Sequence, residues 1–310
     1  MTIERAPRNR TINLTDEDRI RFASGLESVE TLSFGQVPQN QILWGDCIQA
    51  IEKLPSACVD LLVTDPPYNM AKIYSGSTFP KTTAEEYETW LRTWIEPLCR
   101  VLKPTASLYV CTEWQSSSSV ERVLREHFTI RNRITWEREK GRGAKRNWKN
   151  SSEDIWYCTV SDTYDFNLDA VRLKRKVIAP YRDPAGAPKD WIDNGNEKYR
   201  ETAPSNLWTD ISVPFWSMPE NTDHPTQKPE KLIAKLILAS SVEGSLVFDP
   251  FVGSGTTAVV AKKLHRQYLG VEREKEYCLL AEKRLDLAHE DASIQGFRDG
   301  CFWERNSGRA

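Results

Sequence analysis

The segment Ser245-Leu-Val-Phe-Asp-Pro-Phe-Val-Gly-Ser-Gly255 is the strongest indication of the fold of this chain. It predicts a short apolar strand that ends at Asp249, a loop with two glycines, and a helix over 257–264. Glycine lets the backbone approach a ligand closely, and a helix N-terminus offers it free N–H groups. The next predicted strand ends at Glu272, about 20 residues after the loop, where an acidic side chain can bind ribose hydroxyls. The segment therefore indicates a nucleotide-binding α/β fold.

Three kinds of ligand loop compete for this glycine pattern. A phosphate-binding Walker loop needs Lys and then Ser or Thr after its last glycine, whereas Thr256 and Thr257 follow Gly255. A dinucleotide loop needs a third glycine, which is missing here. A loop for an adenosine ligand without a pyrophosphate fits best, and a tight turn without any ligand remains open.

Short apolar strands alternate with helices along most of the chain. Strands are predicted over 41–45, 59–64, 106–111, 130–136, 155–160 and 268–272, and helices over 47–54, 83–102, 119–126, 228–238 and 274–289. Such alternation is typical of the α/β class with a doubly wound, mostly parallel sheet. It fails between 166 and 225, which predicts an irregular inserted segment that faces the substrate. Residues 1–40 are predicted to be a surface extension.

The segment Thr64-Asp65-Pro66-Pro67-Tyr68 follows an apolar strand and carries the second chemical signal. The two prolines cannot continue the strand, and ligand sites of open α/β sheets lie outside these carboxyl ends. An exocyclic amino group is a hydrogen-bond donor, so the Asp65 carboxylate and the Pro66 carbonyl are the acceptors that it needs. Tyr68 can stack on the ring that bears this group. The segment therefore predicts a site for a planar amine.

Composition limits the class of protein. The chain has 310 residues, of which 39% are hydrophobic, so a packed core is expected. The seven cysteines have no CxxC spacing and only four histidines are present, which argues against a zinc site, so no metal is expected. The sequence has neither an apolar run long enough for a membrane span nor a secretory signal. We therefore expect a cytoplasmic protein with reduced thiols and no membrane partner.

Charge is balanced overall but locally uneven. The 42 Lys and Arg residues against 44 Asp and Glu residues give a net charge of −2, which excludes a uniformly basic protein. Residues 131–149 nevertheless contain eight Lys or Arg and two acids, and a second basic run spans 172–176. Two such runs beside the predicted substrate segment favour contact with a phosphate backbone. The candidate nucleic-acid-binding residues are Arg138, Lys140, Arg142, Lys145, Arg146, Lys174 and Arg175.

With these motifs in this order, the sequence resembles the beta group of amino-group DNA methyltransferases that use S-adenosylmethionine. In that family Asp-Pro-Pro-Tyr precedes the Phe-x-Gly-x-Gly loop, and here Asp65-Pro-Pro-Tyr68 precedes Phe251-Val-Gly-Ser-Gly255. The family element His-Pro-Thr-Gln-Lys-Pro is present as 224–229. The resemblance covers about 41–289 and implies a seven-stranded-type sheet. It divides the chain into an N-terminal extension, a catalytic half, a target-recognition segment, a cofactor-binding half and a tail: 1–40, 41–165, 166–223, 224–290 and 291–310.

The resemblance also implies a role for each motif residue. Asp65, Pro66 and Tyr68 would be catalytic. The residues implied to bind the cofactor are Asp249, Phe251, Gly253 and Gly255 at its methionine and ribose side, Glu272 at the ribose hydroxyls, Asp46 near the adenine, Thr226 and Lys228 at its amino-acid end, and also Asp65. Each of two residues also has an interpretation without a ligand. Asp46 could instead be the N-cap of the following helix, and Lys228 could be a solvated lysine at the start of a helix.

The function implied by the resemblance is site-specific methylation of the N6 amino group of an adenine flipped out of duplex DNA, by direct in-line transfer. Adenine is favoured because Asp65 heads the tetrapeptide, whereas cytosine-N4 relatives more often carry Ser there. Cytosine-N4 methylation is the main alternative, and RNA methylation or a catalytically silent nucleic-acid-binding subunit are weaker ones. The expected partner is double-stranded DNA. The resemblance leaves open a cognate restriction endonuclease and a homodimer.

Overall fold

The computed structural model describes residues 6–70, 72–74, 77–138, 146–177, 181–193 and 198–304. The helices are α1 (Asp16–Ala23), α2 (Cys47–Lys53), α3 (Ala84–Val101), α4 (Ser117–His127), α5 (Glu230–Ser240), α6 (Thr256–Lys263) and α7 (Lys275–Glu290). The strands are β1 (Glu27–Ser28), β2 (Gln41–Trp44), β3 (Val59–Thr64), β4 (Lys72–Tyr74), β5 (Ser77–Phe79), β6 (Leu102–Thr112), β7 (Thr129–Glu137), β8 (Ser152–Thr159), β9 (Leu173–Lys176), β10 (Ile192–Asp193), β11 (Lys198–Thr202), β12 (Leu207–Trp208), β13 (Leu246–Asp249), β14 (Gln267–Glu272), β15 (Phe297–Arg298) and β16 (Cys301–Trp303).

The main sheet has the strand order β1-β2-β14-β13-β3-β6-β8-β7-β12. Every neighbouring pair is parallel except the two that involve β8, which runs antiparallel to both β6 and β7. The seven central strands form the predicted seven-stranded sheet, and the two-residue strands β1 and β12 extend its edges. The prediction of a doubly wound, mostly parallel α/β fold is therefore confirmed.

The core consists of two apolar layers, one on each face of this sheet. Side chains alternate along a strand, so Leu61 and Val63 of β3 enter one layer and Leu62 enters the other. The first layer contains the apolar faces of α5, α6 and α7, and the second contains those of α2, α3 and α4. Burial on both faces explains why β3 is an almost continuous apolar run.

The segment 166–223 is not irregular throughout, as the sequence suggested. A second sheet has the order β10-β11-β9-β16-β15, in which β9 pairs antiparallel with β11 and parallel with β16. The inserted segment and the C-terminal tail thus share one sheet. Its strands have two to five residues and bury few side chains, chiefly Leu173 and Phe302, so they lack the alternation that identifies strands in a sequence.

The N-terminal extension is packed more closely than a surface segment. Thr15 caps α1 by accepting a hydrogen bond from the Asp18 N–H. Lys283 of α7 donates to the Asp18 carboxylate at 2.6 Å, which ties α1 to the main domain. Val29 is fully buried in the second core layer.

Candidate active site

A cavity of about 260 Å³ opens at the carboxyl ends of β2, β14, β13 and β3, which are neighbours in the sheet. Parallel strands end at the same edge, so the loops that follow them meet there. The Asp65–Tyr68 segment lines one part of the cavity and the Pro250–Ser254 loop lines another. The aromatic side chains Trp90, Trp94 and Tyr277 also line it. Two motifs that are about 180 residues apart in the sequence therefore share one cavity.

The glycine loop is held by Glu272 and by aromatic packing. The Gly253 N–H donates to Glu272 Oε2 at 3.0 Å, and the Glu274 N–H donates to Oε1 at 2.8 Å. Burial raises the pKa of Glu272, although these backbone donors oppose the rise. The Phe251 ring lies edge-on to Trp94, with ring centroids 5.2 Å apart. Phe251, Gly253 and Glu272 all line the cavity.

Gly255 has a different role from Gly253. It adopts a positive φ of 85° just before α6. A Cβ atom on Gly255 would lie 2.6 Å from the Cβ of Ala281 on α7, whereas one on Gly253 would lie 3.1 Å from the His224 ring beside the cavity. Gly255 is absent from the lining of the cavity. Its missing side chain therefore permits the close approach of α6 and α7.

Asp249 joins three elements at the end of β13. Its Oδ1 accepts from the Thr64 hydroxyl at 2.8 Å and from the Phe251 N–H at 3.1 Å, and its Oδ2 accepts from the Thr257 hydroxyl at 2.7 Å. Burial raises the pKa of Asp249 to about 7, even though these hydrogen bonds favour the charged form. The carboxylate thus connects β3, the glycine loop and α6 while it lines the cavity.

Two further predicted cofactor residues lie at the cavity. Asp46 caps α2 by accepting from the Ile48 N–H at 2.9 Å, so the capping interpretation describes its contacts, and it also lines the cavity. Thr226 lines the cavity as well, and its N–H donates to His224 Nδ1 at 3.4 Å.

Asp65, Tyr68 and Lys228 form one hydrogen-bonded cluster. The Tyr68 hydroxyl donates to Asp65 Oδ1 at 2.5 Å, and Lys228 Nζ donates to Asp65 Oδ2 and, at 3.1 Å, to the Tyr68 oxygen. Lys228 is therefore not a solvated lysine, since its side chain is only 7% exposed. Burial disfavours its charge, but the carboxylates of Asp65 and Glu153 outweigh burial and raise its pKa. Burial and the same two carboxylates raise the pKa of Tyr68.

Glu153 is a site residue that the sequence analysis missed. Its Oε2 lies 3.3 Å from Lys228 Nζ and 3.4 Å from the Tyr68 hydroxyl, and its Oε1 accepts from Arg138. Because β8 is antiparallel to its neighbours, it begins at the edge where the parallel strands end. The predicted strand began at Ile155 because the polar residues before it show no alternation of apolar side chains. No signal in the sequence identifies it, because neither the burial of Glu153 nor the antiparallel direction of β8 can be read from these polar residues.

The four candidate nucleic-acid-binding residues that the structure describes differ in their surroundings. Arg138 is paired with Glu153, and Arg146 is exposed. Lys140, Arg142 and Lys145 lie outside the described residues. Lys174 lies 4.0 Å from the Tyr199 ring centroid, whereas Arg175, its neighbour in β9, has a buried Nε without a hydrogen-bond partner in the described part of the chain. Successive side chains of a strand point to opposite faces, so these two cannot contact the same partner surface.

Two other features are absent from the ranges that the structure describes. No three or more His, Cys, Asp or Glu side chains in these ranges are grouped so that they could hold a metal ion. Within the same ranges, each helix is too short or too polar to cross a bilayer.

Comparison with known sequences identifies the family. The model of a family described as DNA methylase matches residues 59–283. The type II methyltransferase M.HpaI of Haemophilus parainfluenzae is 34% identical over 249 residues, which cover 79% of this chain and 74% of that relative. The DNA adenine methyltransferase YhdJ of Escherichia coli K12 is 35% identical over 254 residues, which cover 80% of this chain and 83% of that relative.

Solved structures share the fold. The M1.HpyAVI–SAM complex superposes with a TM-score of 0.55 at 24% identity, over 79% of this chain and 98% of that one. The PvuII DNA methyltransferase, described as cytosine-N4-specific, has a TM-score of 0.59 at 16% identity, over 86% of this chain and 96% of that one. The matches in sequence show that this chain belongs to the N6/N4 family of DNA methyltransferases, whose cofactor and methyl donor is S-adenosylmethionine.

Proposed function

We propose that this protein transfers the methyl group of S-adenosylmethionine to the N6 amino group of an adenine flipped out of duplex DNA. One observation carries the proposal: Asp65 and Tyr68 line the same cavity as Phe251 and Gly253. Acceptors for an amino group and a loop suited to an adenosine ligand are thereby within reach of each other. Separate cavities would have excluded direct transfer.

The cavity residues fit the cofactor. Its sulfonium is a cation, and the carboxylates of Asp46, Asp65, Asp249 and Glu272 all line the cavity. Glu272 would bind the ribose hydroxyls, because each carboxylate oxygen can accept more than the one backbone bond it has here. Asp46 would lie near the adenine.

The amino-acid end of the cofactor carries an ammonium and a carboxylate. The opposite charges of the Asp65–Lys228 pair are complementary to these two groups, and the Thr226 hydroxyl offers a further hydrogen bond. Phe251, Gly253 and Asp249 would lie along the methionine and ribose. The backbone at Gly255 would act indirectly, because it allows α6 to begin at the loop.

The chain's own residues would orient the target nitrogen. S-adenosylmethionine supplies an electrophilic methyl group when bound. An aromatic amine is a weak nucleophile, and hydrogen bonds from its N–H groups to Asp65 and to the Pro66 carbonyl would stabilise the charge that develops on nitrogen. Tyr68 would stack on the base, and alignment of nitrogen with the methyl group supplies much of the remaining acceleration. As it gains the methyl group, the amino nitrogen would release one N–H proton to solvent, and Asp65 would orient that nitrogen rather than act as its base.

No covalent intermediate with a cysteine is needed in this chemistry. Cys111 lines the cavity and is fully buried among apolar side chains. Burial raises its pKa, so it remains a thiol rather than the nucleophilic thiolate.

Exposed basic and aromatic side chains in the segment before β8 support a DNA substrate. Arg146, Trp148 and Lys149 precede β8, whose first residues lie beside the Tyr68 hydroxyl. The Trp148 side chain is 93% exposed, which is unusual for so large an apolar group. Basic groups interleaved with an exposed aromatic ring suit a nucleic acid. A base within a duplex is inaccessible to this cavity, so it would have to be flipped out at a cost of a few kcal/mol.

Adenine is favoured over cytosine as the target. Asp65 heads the tetrapeptide, as in adenine-specific members of the family, and the relative YhdJ is described as a DNA adenine methyltransferase. The cytosine-N4-specific PvuII enzyme supports a shared fold only, because it is 16% identical.

The test is to incubate the purified protein with labelled S-adenosylmethionine and duplex DNA, digest the DNA and separate the nucleosides. We expect label in N6-methyldeoxyadenosine. Label in N4-methyldeoxycytidine would show that the target base is cytosine rather than adenine. DNA without label would support a catalytically silent subunit. Single-stranded RNA in a parallel reaction distinguishes an RNA enzyme, and mapping of the modified bases gives the recognition sequence.

A further inference from the structure

We infer that Glu153 is a positioning residue that holds Lys228 and thereby leaves Asp65 available for the target amino group. The inference rests on the proposed role of Asp65. Glu153 lies on β8, outside every motif of the family resemblance, and acts through Lys228 and Tyr68 rather than on the substrate.

The contacts of Lys228 show why a second carboxylate matters. The ammonium has three N–H groups, and three oxygens surround it, from Asp65, Tyr68 and, at 3.3 Å, Glu153. Both Asp65 oxygens are already engaged, Oδ1 by the Tyr68 hydroxyl and Oδ2 by Lys228. Each oxygen can accept a second bond, but displacing one of these donors makes Asp65 a stronger acceptor for the N–H of a target amino group.

Glu153 lowers the cost of that displacement. Its side chain is 5% exposed, so Lys228 retains a buried anionic partner when Asp65 turns towards the base. Without Glu153, releasing Asp65 would leave the buried Lys228 ammonium with the carboxylate of the cofactor as its one remaining partner of opposite charge, which is less favourable. Lys228 would then hold Asp65 and oppose catalysis.

Arg138 completes the charge balance of the cluster. Two carboxylates, Asp65 and Glu153, face two cations, Lys228 and Arg138, so the cluster is neutral. The Arg138 side chain is bonded to Glu153 Oε1, which leaves Oε2 directed at Lys228 and Tyr68. The two oxygens of the Glu153 carboxylate thus have separate partners.

The test compares Glu153→Gln with Glu153→Asp. Gln keeps the size and an acceptor oxygen but loses the charge, whereas Asp keeps the charge on a shorter side chain. We expect Glu153→Gln to lower kcat for DNA methylation about 10- to 100-fold, with KM for DNA and the Kd of S-adenosylmethionine changed less than about threefold. Glu153→Asp should recover most of kcat. A packing role predicts the reverse order, with Gln closer to wild type than Asp, and that result would overturn the inference.

A second measurement uses the cofactor-free protein. In Glu153→Gln the Lys228 ammonium has one anionic partner fewer, so its amine should react several-fold faster with an acylating reagent, followed by mass spectrometry of the Lys228 peptide. Asp154→Asn is the matched control, since Asp154 is the next residue of β8 and instead accepts from Ser117 and Thr135. It should alter neither the acylation of Lys228 nor kcat.

The outcomes separate this inference from the proposed function. If the wild-type protein transfers no methyl group, the proposed role of Asp65 fails and the inference fails with it. If the wild type is active and Glu153→Gln matches it in kcat and in acylation, only the inference on Glu153 is wrong. Loss of cofactor binding in Glu153→Gln would also contradict it, because a general structural role would then explain the lost activity.

Discussion

Asp249 is the residue at which burial and hydrogen bonding oppose each other most clearly. Its carboxylate has three protein donors, yet burial raises its pKa from 3.8 to about 7. The folded protein therefore keeps a proton that the unfolded chain has already released over this pH range. The stabilisation from this group is complete below the unfolded pKa and is lost as the pH rises towards the folded one.

Asp249→Asn should remove this pH dependence. Between about pH 5 and about pH 8 the free energy of unfolding of the wild type should fall relative to that of the variant, by up to about 1.4 kcal/mol per pH unit below the folded pKa. Urea unfolding at the two pH values measures the difference. The buried Glu220 also has a raised pKa, of about 7, and is present in both proteins, so it cancels in the comparison. Parallel curves for the two proteins would show that Asp249 does not titrate in this range.

At the residue scale, the sequence identified side chains that belong to motifs and missed those that do not. Asp65, Tyr68 and Phe251 lie at the shared cavity. They were predictable because they belong to motifs at a strand end and in a glycine loop, which can be recognised in the sequence. Glu153 reaches the same cluster from a polar stretch without any such signal. The roles of these residues in binding and catalysis stay predictions until they are tested.

At the scale of elements, the packing of α6 against α7 depends on Gly255. Its φ of 85° is strained for other residues, and a Cβ there would lie 2.6 Å from Ala281. Gly244 has a similar φ of 80°, but a Cβ there would have no neighbour within 4 Å. The two glycines thus share a positive φ, but only at Gly255 does a neighbouring helix lie where a side chain would be.

We expect Gly255→Ala to destabilise the protein more than Gly244→Ala, by about 1–3 kcal/mol, because overpacking adds to the strain that both variants share. Chemical denaturation of the two variants gives the difference directly. Equal losses would mean that the helices move apart without cost, and the account of Gly255 would fail.

Strands and helices with a strong pattern were predictable, and those with a weak one were not. The helix α3 begins and ends within one residue of its predicted bounds, because its apolar residues recur at helical spacing and Thr83 caps it. By contrast, β9 and β16 are short, and their pairing joins segments more than a hundred residues apart. Such pairing depends on tertiary contacts that local sequence does not encode.

At the scale of the whole molecule, a chain with a net charge of −2 has to bind a polyanion through a local surface. Arg146 and Lys149 are exposed, and neither forms an ion pair with the part of the chain that the structure describes. Arg122 and Arg125 of α4 are also exposed but are paired with Glu88 and Glu121. Arg146 and Lys149 are therefore available to phosphates, whereas the charges of Arg122 and Arg125 are neutralised by their acidic partners.

The double variant Arg146→Ala/Lys149→Ala should bind duplex DNA more weakly, and its plot of log affinity against log salt concentration should be shallower by about two units. The control is Arg122→Ala/Arg125→Ala, which should leave the slope unchanged. Fluorescence anisotropy of a labelled duplex over a series of salt concentrations measures both. An unchanged slope in the first variant would place the phosphate contacts elsewhere.

The architecture of the main domain was predictable, whereas that of the inserted segment 166–223 was not. The order of motifs pointed to the family and hence to the parallel sheet, whose strand ends bring the distant segments together. The second sheet combines the inserted segment with the tail beyond residue 291, and the resemblance did not reach the tail.

In the proposed mechanism Asp65 orients the target nitrogen, while other residues of the same cavity provide most of the contacts to the cofactor. The most direct measurement compares the wild type with Asp65→Ala in two assays, equilibrium binding of labelled S-adenosylmethionine and transfer of its methyl group to duplex DNA. We predict that the variant keeps cofactor affinity within about tenfold, a loss of less than about 1.4 kcal/mol, and shows no detectable transfer. Methyl transfer at the wild-type rate by Asp65→Ala would contradict the account.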